Sequence, residues 1–221
     1  QQFQGLATAT TTPEFKNVNY NIAYSYFKQK EYDQAGNYFQ NQIDNAKGDK
    51  VRLLDSYLRL ADCRFVTSKY TSALEAYNKV IEMKGVDADY AYFQKAICYG
   101  FVSKNDKKIE ELNAFLKLYP KSDYRDDAFF ELGNTYVSEN KKDLAIKTYD
   151  RLNTEFVKGS FTSKAILRQG LVYYNADKDE LALAKFKKVA ADFPKTPEAL
   201  EAVSTARLIM QPGCVLWILW P

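Results

Sequence analysis

Five segments of this chain can be laid over one another, and that self-similarity constrains the fold more than any other feature. They are NIAYSYFKQKEYDQAGNYF, RLADCRFVTSKYTSALEAY, KAICYGFVSKNDKKIEELNAF, ELGNTYVSENKKDLAIKTY and RQGLVYYNADKDELALAKF. Each carries a small residue at one point: Ala23, Ala61, Ala96, Gly133 and Gly170. Twelve residues on come Ala35, Ala73, Lys108, Ala145 and Ala182, and sixteen on come Phe39, Tyr77, Leu112, Tyr149 and Phe186. Successive small residues stand 38, 35, 37 and 37 positions apart. Small residues facing each other let two helical backbones approach, and the large residue four further on fills the space beside them. Each segment is therefore a pair of antiparallel helices, with polar turns near 28–31, 103–107 and 138–142 between the halves. Pro120 and Pro194 stop second helices. Ser122 or Asp123 is then expected to cap the next helix, and Thr196 with Pro197 the last one.

This arithmetic predicts an all-α fold, helical over about 13–210. An N-terminal extension covers 1–12, and the repeats fall at about 13–48, 49–85, 86–121, 122–158 and 159–195. A terminal helix over 196–210 covers the exposed face of the fifth pair, as the ends of helical arrays require. The tail, 211–221 (QPGCVLWILWP), follows no helical period and reads as foreign to the repeats, with apolar 215–220 expected to pack on an apolar surface or mediate self-association. Its apolar run is far shorter than the roughly 20 residues of a membrane span. Gln1 in place of Met, with no basic and apolar leader after it, fits either a mature chain whose export signal has been removed or a chain cut from something longer.

Composition bears on function chiefly through what is missing. The chain has no histidine, which removes the commonest general base, the histidine-dependent nucleophiles and the usual transition-metal ligand. Carboxylate neighbours such as Glu110 with Glu111, or Asp126 with Asp127, point different ways on a helix and read as solvated surface. We expect no enzyme, no cofactor and no metal. The 31 basic and 28 acidic residues are interspersed, which gives no electrostatic footprint for nucleic acid. A protein or peptide is the expected partner. Cys63, Cys98 and Cys214 are odd in number, and Cys63 and Cys98 fall at the same place in neighbouring repeats, too far apart for a disulfide. Both are expected to be reduced.

The pattern resembles the tetratricopeptide repeat, with Gly or Ala at the eighth position, an aromatic at the eleventh, Ala at the twentieth, an aromatic at the twenty-fourth and Pro at the thirty-second. Tyr26, Tyr99, Tyr136 and Tyr173 stand at the eleventh position, where Arg64 is the exception, and Pro120 and Pro194 at the thirty-second. Repeat three departs with Lys108 in place of Ala. The resemblance implies a right-handed superhelical solenoid of antiparallel helix pairs, about five repeats plus a terminal helix, whose first helices line a concave groove. Residues at the second, fifth, ninth and twelfth or thirteenth positions share one face of those helices. They are Asn17, Tyr20, Tyr24 and Phe27; Asp55, Leu58, Asp62 and Phe65; Tyr90, Phe93, Ile97 and Phe101; Asp127, Phe130, Asn134 and Val137; and Lys164, Leu167, Leu171 and Tyr174. From these, Tyr20, Tyr24, Phe27, Asp62, Tyr90, Phe93, Ile97, Phe130, Asn134, Leu171 and Tyr174 form the candidate partner-binding groove. Greater exposure is expected at the ninth and second positions, which favours Tyr24, Asp62, Tyr90 and Asn134. The Lys and Asn clamp with which chaperone-binding members grip a terminal carboxylate is absent. LYPKSDYRDDAFFELGNTY and DFPKTPEALEA are also similar to long repeats of bacterial cell-envelope proteins, the outer-membrane assembly lipoproteins and Tol-Pal coordinators. That likeness implies a periplasmic or envelope location, with the cytoplasm as the alternative. It also implies a scaffold in an envelope complex, the rival role being a spacer within a longer solenoid.

Overall fold

A computed structural model describes residues 18–46 and 49–210. Among them lie eleven α-helices and no strand. Helices α1 (Val18–Lys28) and α2 (Tyr32–Asp44) form the first pair, α3 (Lys50–Val66) and α4 (Tyr70–Glu82) the second, and α5 (Ala88–Phe101) and α6 (Asn105–Leu118) the third. Helices α7 (Arg125–Ser138) and α8 (Lys142–Glu155), then α9 (Thr162–Tyr174) and α10 (Asp179–Asp192), form the fourth and fifth, and α11 (Pro197–Ile209) follows. Two compact units result, Gln1–Phe115 and Leu116–Pro221, with the boundary inside α6. The expected extension and the tail, with Cys214 and both tryptophans, lie outside the described residues. No described helix is long and apolar enough to cross a membrane.

The repeat positions do the packing assigned to them. Ala23, Ala35, Phe39, Ala61, Ala73, Tyr77, Ala96, Ala145, Tyr149, Ala182 and Phe186 are all fully buried. In the fourth and fifth pairs the eighth position must be glycine. A Cβ on Gly133 would overlap the Tyr149 ring, and one on Gly170 would stand 2.5 Å from Cε1 of Phe186. In the third pair the roles are exchanged: the Lys108 stem lies where a Cβ on Gly100 would meet its Cδ at 3.0 Å. A glycine on α5 thus makes room for the lysine that replaces alanine on α6.

The backbone carries the same period as the side chains. Each turn between paired helices places one residue in the left-handed region: Lys30 (φ 62°), Ser68 (60°), Ser103 (58°), Asn140 (55°) and Asp177 (54°). Each of these donates its N–H to the carbonyl three back, and the next residue donates to the carbonyl five back, as in Glu31 to Tyr26 (3.0 Å) and Lys69 to Arg64 (2.7 Å). This Schellman arrangement satisfies carbonyls that the helix end would otherwise orphan. The second helices then start without a side-chain cap at Glu31, Lys69, Lys141 and Lys178. Acids in the first turn, Asp33, Asp143, Asp179 and Glu180, complement the helix dipole instead.

Of the expected caps, Thr196 accepts from the Ala199 amide at 3.2 Å, with Pro197 opening the helix. Ser122 does not cap α7. Its hydroxyl accepts from Tyr124, which is itself the residue flanking the helix, two positions later than the sequence suggests.

Helix α11 repeats the buried stripe of α9. Thr162, Ala165, Gln169 and Val172 are buried in α9, and Ala199, Ala202, Ala206 and Ile209 in α11, a constant shift of 37 residues. In that register the exposed Arg207 stands where α9 has Gly170. Arginine there denies the close approach that every earlier pair relies on.

Candidate functional site

The face of the first helices in unit one is bound together by a polar belt. Both Tyr20 (2.8 Å) and Tyr24 (2.6 Å) on α1 donate their hydroxyls to one oxygen of Asp55 on α3. One turn on, Arg59 donates Nε to the Tyr24 hydroxyl at 3.3 Å and its other arm to Asp62 at 2.7 Å. The second oxygen of Asp62 accepts from Tyr77 of α4 (2.9 Å) and Tyr90 of α5 (3.0 Å). Asp55, Arg59 and Asp62 stand four and three residues apart, on one face of α3, so that one helix ties α1, α4 and α5 to itself. Burial, then the carboxylates they serve, pushes the phenols of Tyr20, Tyr24, Tyr77 and Tyr90 upward, keeping them donors. Burial also raises the Asp62 carboxyl despite Tyr77, Arg59 and Tyr90.

The groove candidates therefore divide. Tyr20, Tyr24 and Tyr90 are half-buried joints between repeats, and Asp62, expected to be open, is buried because Tyr77 and Tyr90 close over it. Phe93 is core, against Phe115 at 5.9 Å between ring centres. Phe27 packs edge-on to Tyr32, and Ile97 is half-buried. In unit two, Phe130 stacks on Phe161 at 4.9 Å, and Asn134 accepts from the Tyr149 hydroxyl at 2.7 Å. Leu171 and Tyr174 pack against the cluster of Ile166, Phe186 and Ala202.

What remains open in unit one is the turn end of the face. Phe65 meets Tyr70 and Phe101 edge-on, each at 5.5 Å, while Tyr70 and Phe101 stack at 4.4 Å and 9°. Phe101, and Val66 beside Phe65 in sequence, are each 55% exposed. Sequence reasoning placed Phe65 and Phe101 on the face but passed over Tyr70, which belongs to a second helix. It also passed over Arg59, whose signal was the Asp-x-x-x-Arg-x-x-Asp spacing.

Two further readings are corrected. Glu111 is not solvated surface: it pairs with Lys95 at 2.7 Å, the side chains only 14% and 13% exposed. Asp126 and Asp127 are coupled, since Asp126 accepts from the Asp127 amide, and burial followed by the Asp126 charge raises Asp127 to about 6. Arg64, the exception at the eleventh position, donates to Gln40 (2.8 Å) and the Ser72 carbonyl (3.3 Å), bridging α2 and α4. Cys63 and Cys98 are free, as expected, and burial pushes both thiols to about 12, which leaves them inert.

Two family profiles match this chain, both described as tetratricopeptide repeat, one over residues 16–84 and the other over 127–158 and 164–196. Together they span more than half of it, on the helix pairs described above. The chain is a tetratricopeptide repeat protein. No curated protein sequence matches it. Among solved structures, the repeat array is similar to that of MamA (18% identity, 83% of this chain and 94% of that one, TM-score 0.69). It is also similar to YrrB, described as a TPR protein with an unusual peptide-binding site (16%, 92% and 98%, 0.64). A third likeness is to a tetratricopeptide repeat protein from Parabacteroides merdae (13%, 89% and 74%, 0.72). At these identities the likeness establishes the all-α repeat fold.

Proposed function

We propose that this tetratricopeptide repeat protein is a non-enzymatic scaffold that holds a segment of another protein on the first-helix face, within a bacterial cell-envelope complex. The observation that carries the reading is the cluster of Phe65, Tyr70 and Phe101, in which two half-buried rings hold an exposed Phe101. Aromatic rings that a fold could have buried, gathered at one end of a rigid face, are the usual anchors of protein contacts. The belt beneath supplies rigidity, since its hydroxyls and carboxylates already satisfy one another. The envelope assignment rests on the Tyr/Phe-Pro-x-Ser/Thr turns at 119–122 and 193–196. The peptide-binding site in the description of YrrB adds support at the level of fold.

Panning a random peptide library displayed on phage against the protein and against Phe101→Ser tests the site. Selected peptides are expected to bind the variant about tenfold more weakly. If none is selected, or binding ignores Phe101, the repeats serve as a spacer instead. Immunoblotting of periplasmic, membrane and cytoplasmic fractions of the source cells tests the location.

A further inference from the structure

The chemistry beside the three rings says what kind of segment fits. We infer that the Phe65–Tyr70–Phe101 cluster takes an acidic segment carrying a large apolar side chain, laid along the turn edge of repeats two and three; this rests on the binding function proposed above.

The left-handed residues Ser68 and Ser103 are followed by Lys69 and Lys104, so consecutive repeats present a lysine at the same place, one next to Tyr70 in sequence and one three residues after Phe101, its stacking partner. Lys104 makes no ion pair among the described residues. Lys69 pairs with Asp33 at 2.7 Å, but at 60% and 61% side-chain exposure that pair is worth little and yields to a better placed carboxylate. Asp33 already faces Lys69, and Asp106 stands in the first turn of α6. Repeat one differs, with Glu31 in the place of these lysines and Phe27 set against Tyr32. Repeats four and five have lysines there, Lys141 and Lys178, but Lys142 and Asp179 stand where repeat two has Tyr70, so Tyr174 of repeat five has no second-helix ring to stack on and repeat four has Val137 at that position. Among the described residues, stacked rings from two repeats with an exposed Phe101 coincide with turn lysines at repeats two and three. Rings provide the contact area, and the lysines select the sign of charge and speed the encounter.

The test uses two fluorescein-labelled nine-residue peptides that share a central Phe and Leu and differ only in having Glu or Lys at every other flanking position. Fluorescence anisotropy on the full chain should show the glutamate peptide binding about tenfold more tightly than the lysine peptide, with a preference that shrinks as salt is added. Phe101→Ser should weaken it about tenfold, and Lys69→Glu with Lys104→Glu should reverse the preference; all three positions are exposed, and circular dichroism checks the fold. Equal binding of the two peptides, or a charge reversal without effect, overturns the inference. So does co-sedimentation with phosphatidylglycerol vesicles through Phe101 when neither peptide binds. If phage-selected peptides bind at Phe101 but carry no acids, this inference falls while the binding function stands; if none is selected, both fall.

Discussion

Gly170 has the conformational freedom of glycine but uses none of it, being an ordinary helical residue. Its value is the absence of a side chain under the Phe186 ring. Alanine there gains about 1 kcal/mol of helix propensity and loses about 1–3 kcal/mol to overpacking, because the ring is fully buried and has nowhere to move. We predict that Gly170→Ala destabilises unit two by up to about 2 kcal/mol, read as a lower urea midpoint at unchanged slope. The turns lead to the opposite expectation. Ser103 sits at φ 58°, where a side chain costs about 1 kcal/mol and the turn bonds hold it regardless. Ser103→Gly should therefore stabilise unit one by up to about 0.5 kcal/mol, the entropy of glycine offsetting most of the gain.

At the scale of the element, much was legible in the sequence. Spacing placed the helix pairs and the small and aromatic positions, because packing two helices leaves few solutions. It failed where the contact crosses elements that no local period connects. Asp62 reads as an exposed acid on α3, yet its surroundings come from Tyr77 on α4 and Tyr90 on α5. Glu111 reads as solvated until Lys95 arrives from the neighbouring helix. Helix α7 presents a case that titration can check. Its Asp127, raised to about 6, binds a proton more readily folded than unfolded, so the chain gains stability as pH falls from 6 toward 4 and loses it as pH rises through 6. Asp127→Asn should be more stable than the parent at pH 7, and the difference should vanish near pH 4. A difference that grows on acidification would contradict the sign.

At the scale of the whole molecule, the chain divides into two compact units, and within them consecutive helices pack on one another, α2 on α3, α4 on α5, α8 on α9 and α10 on α11 among them. Arrays of this kind unfold as linked segments. Hydrogen exchange of Gly170→Ala should show faster amide opening in α9, α10 and α11, with α1 through α4 unchanged; uniform loss of protection would mean that the two units open as one. The guanidinium of Arg207 bears on a different hazard. An array of interchangeable units invites a neighbouring copy to dock its own helix pair on the last one and so grow into a filament. With a charged side chain where the earlier pairs carry alanine or glycine, α11 is a poor template for that growth.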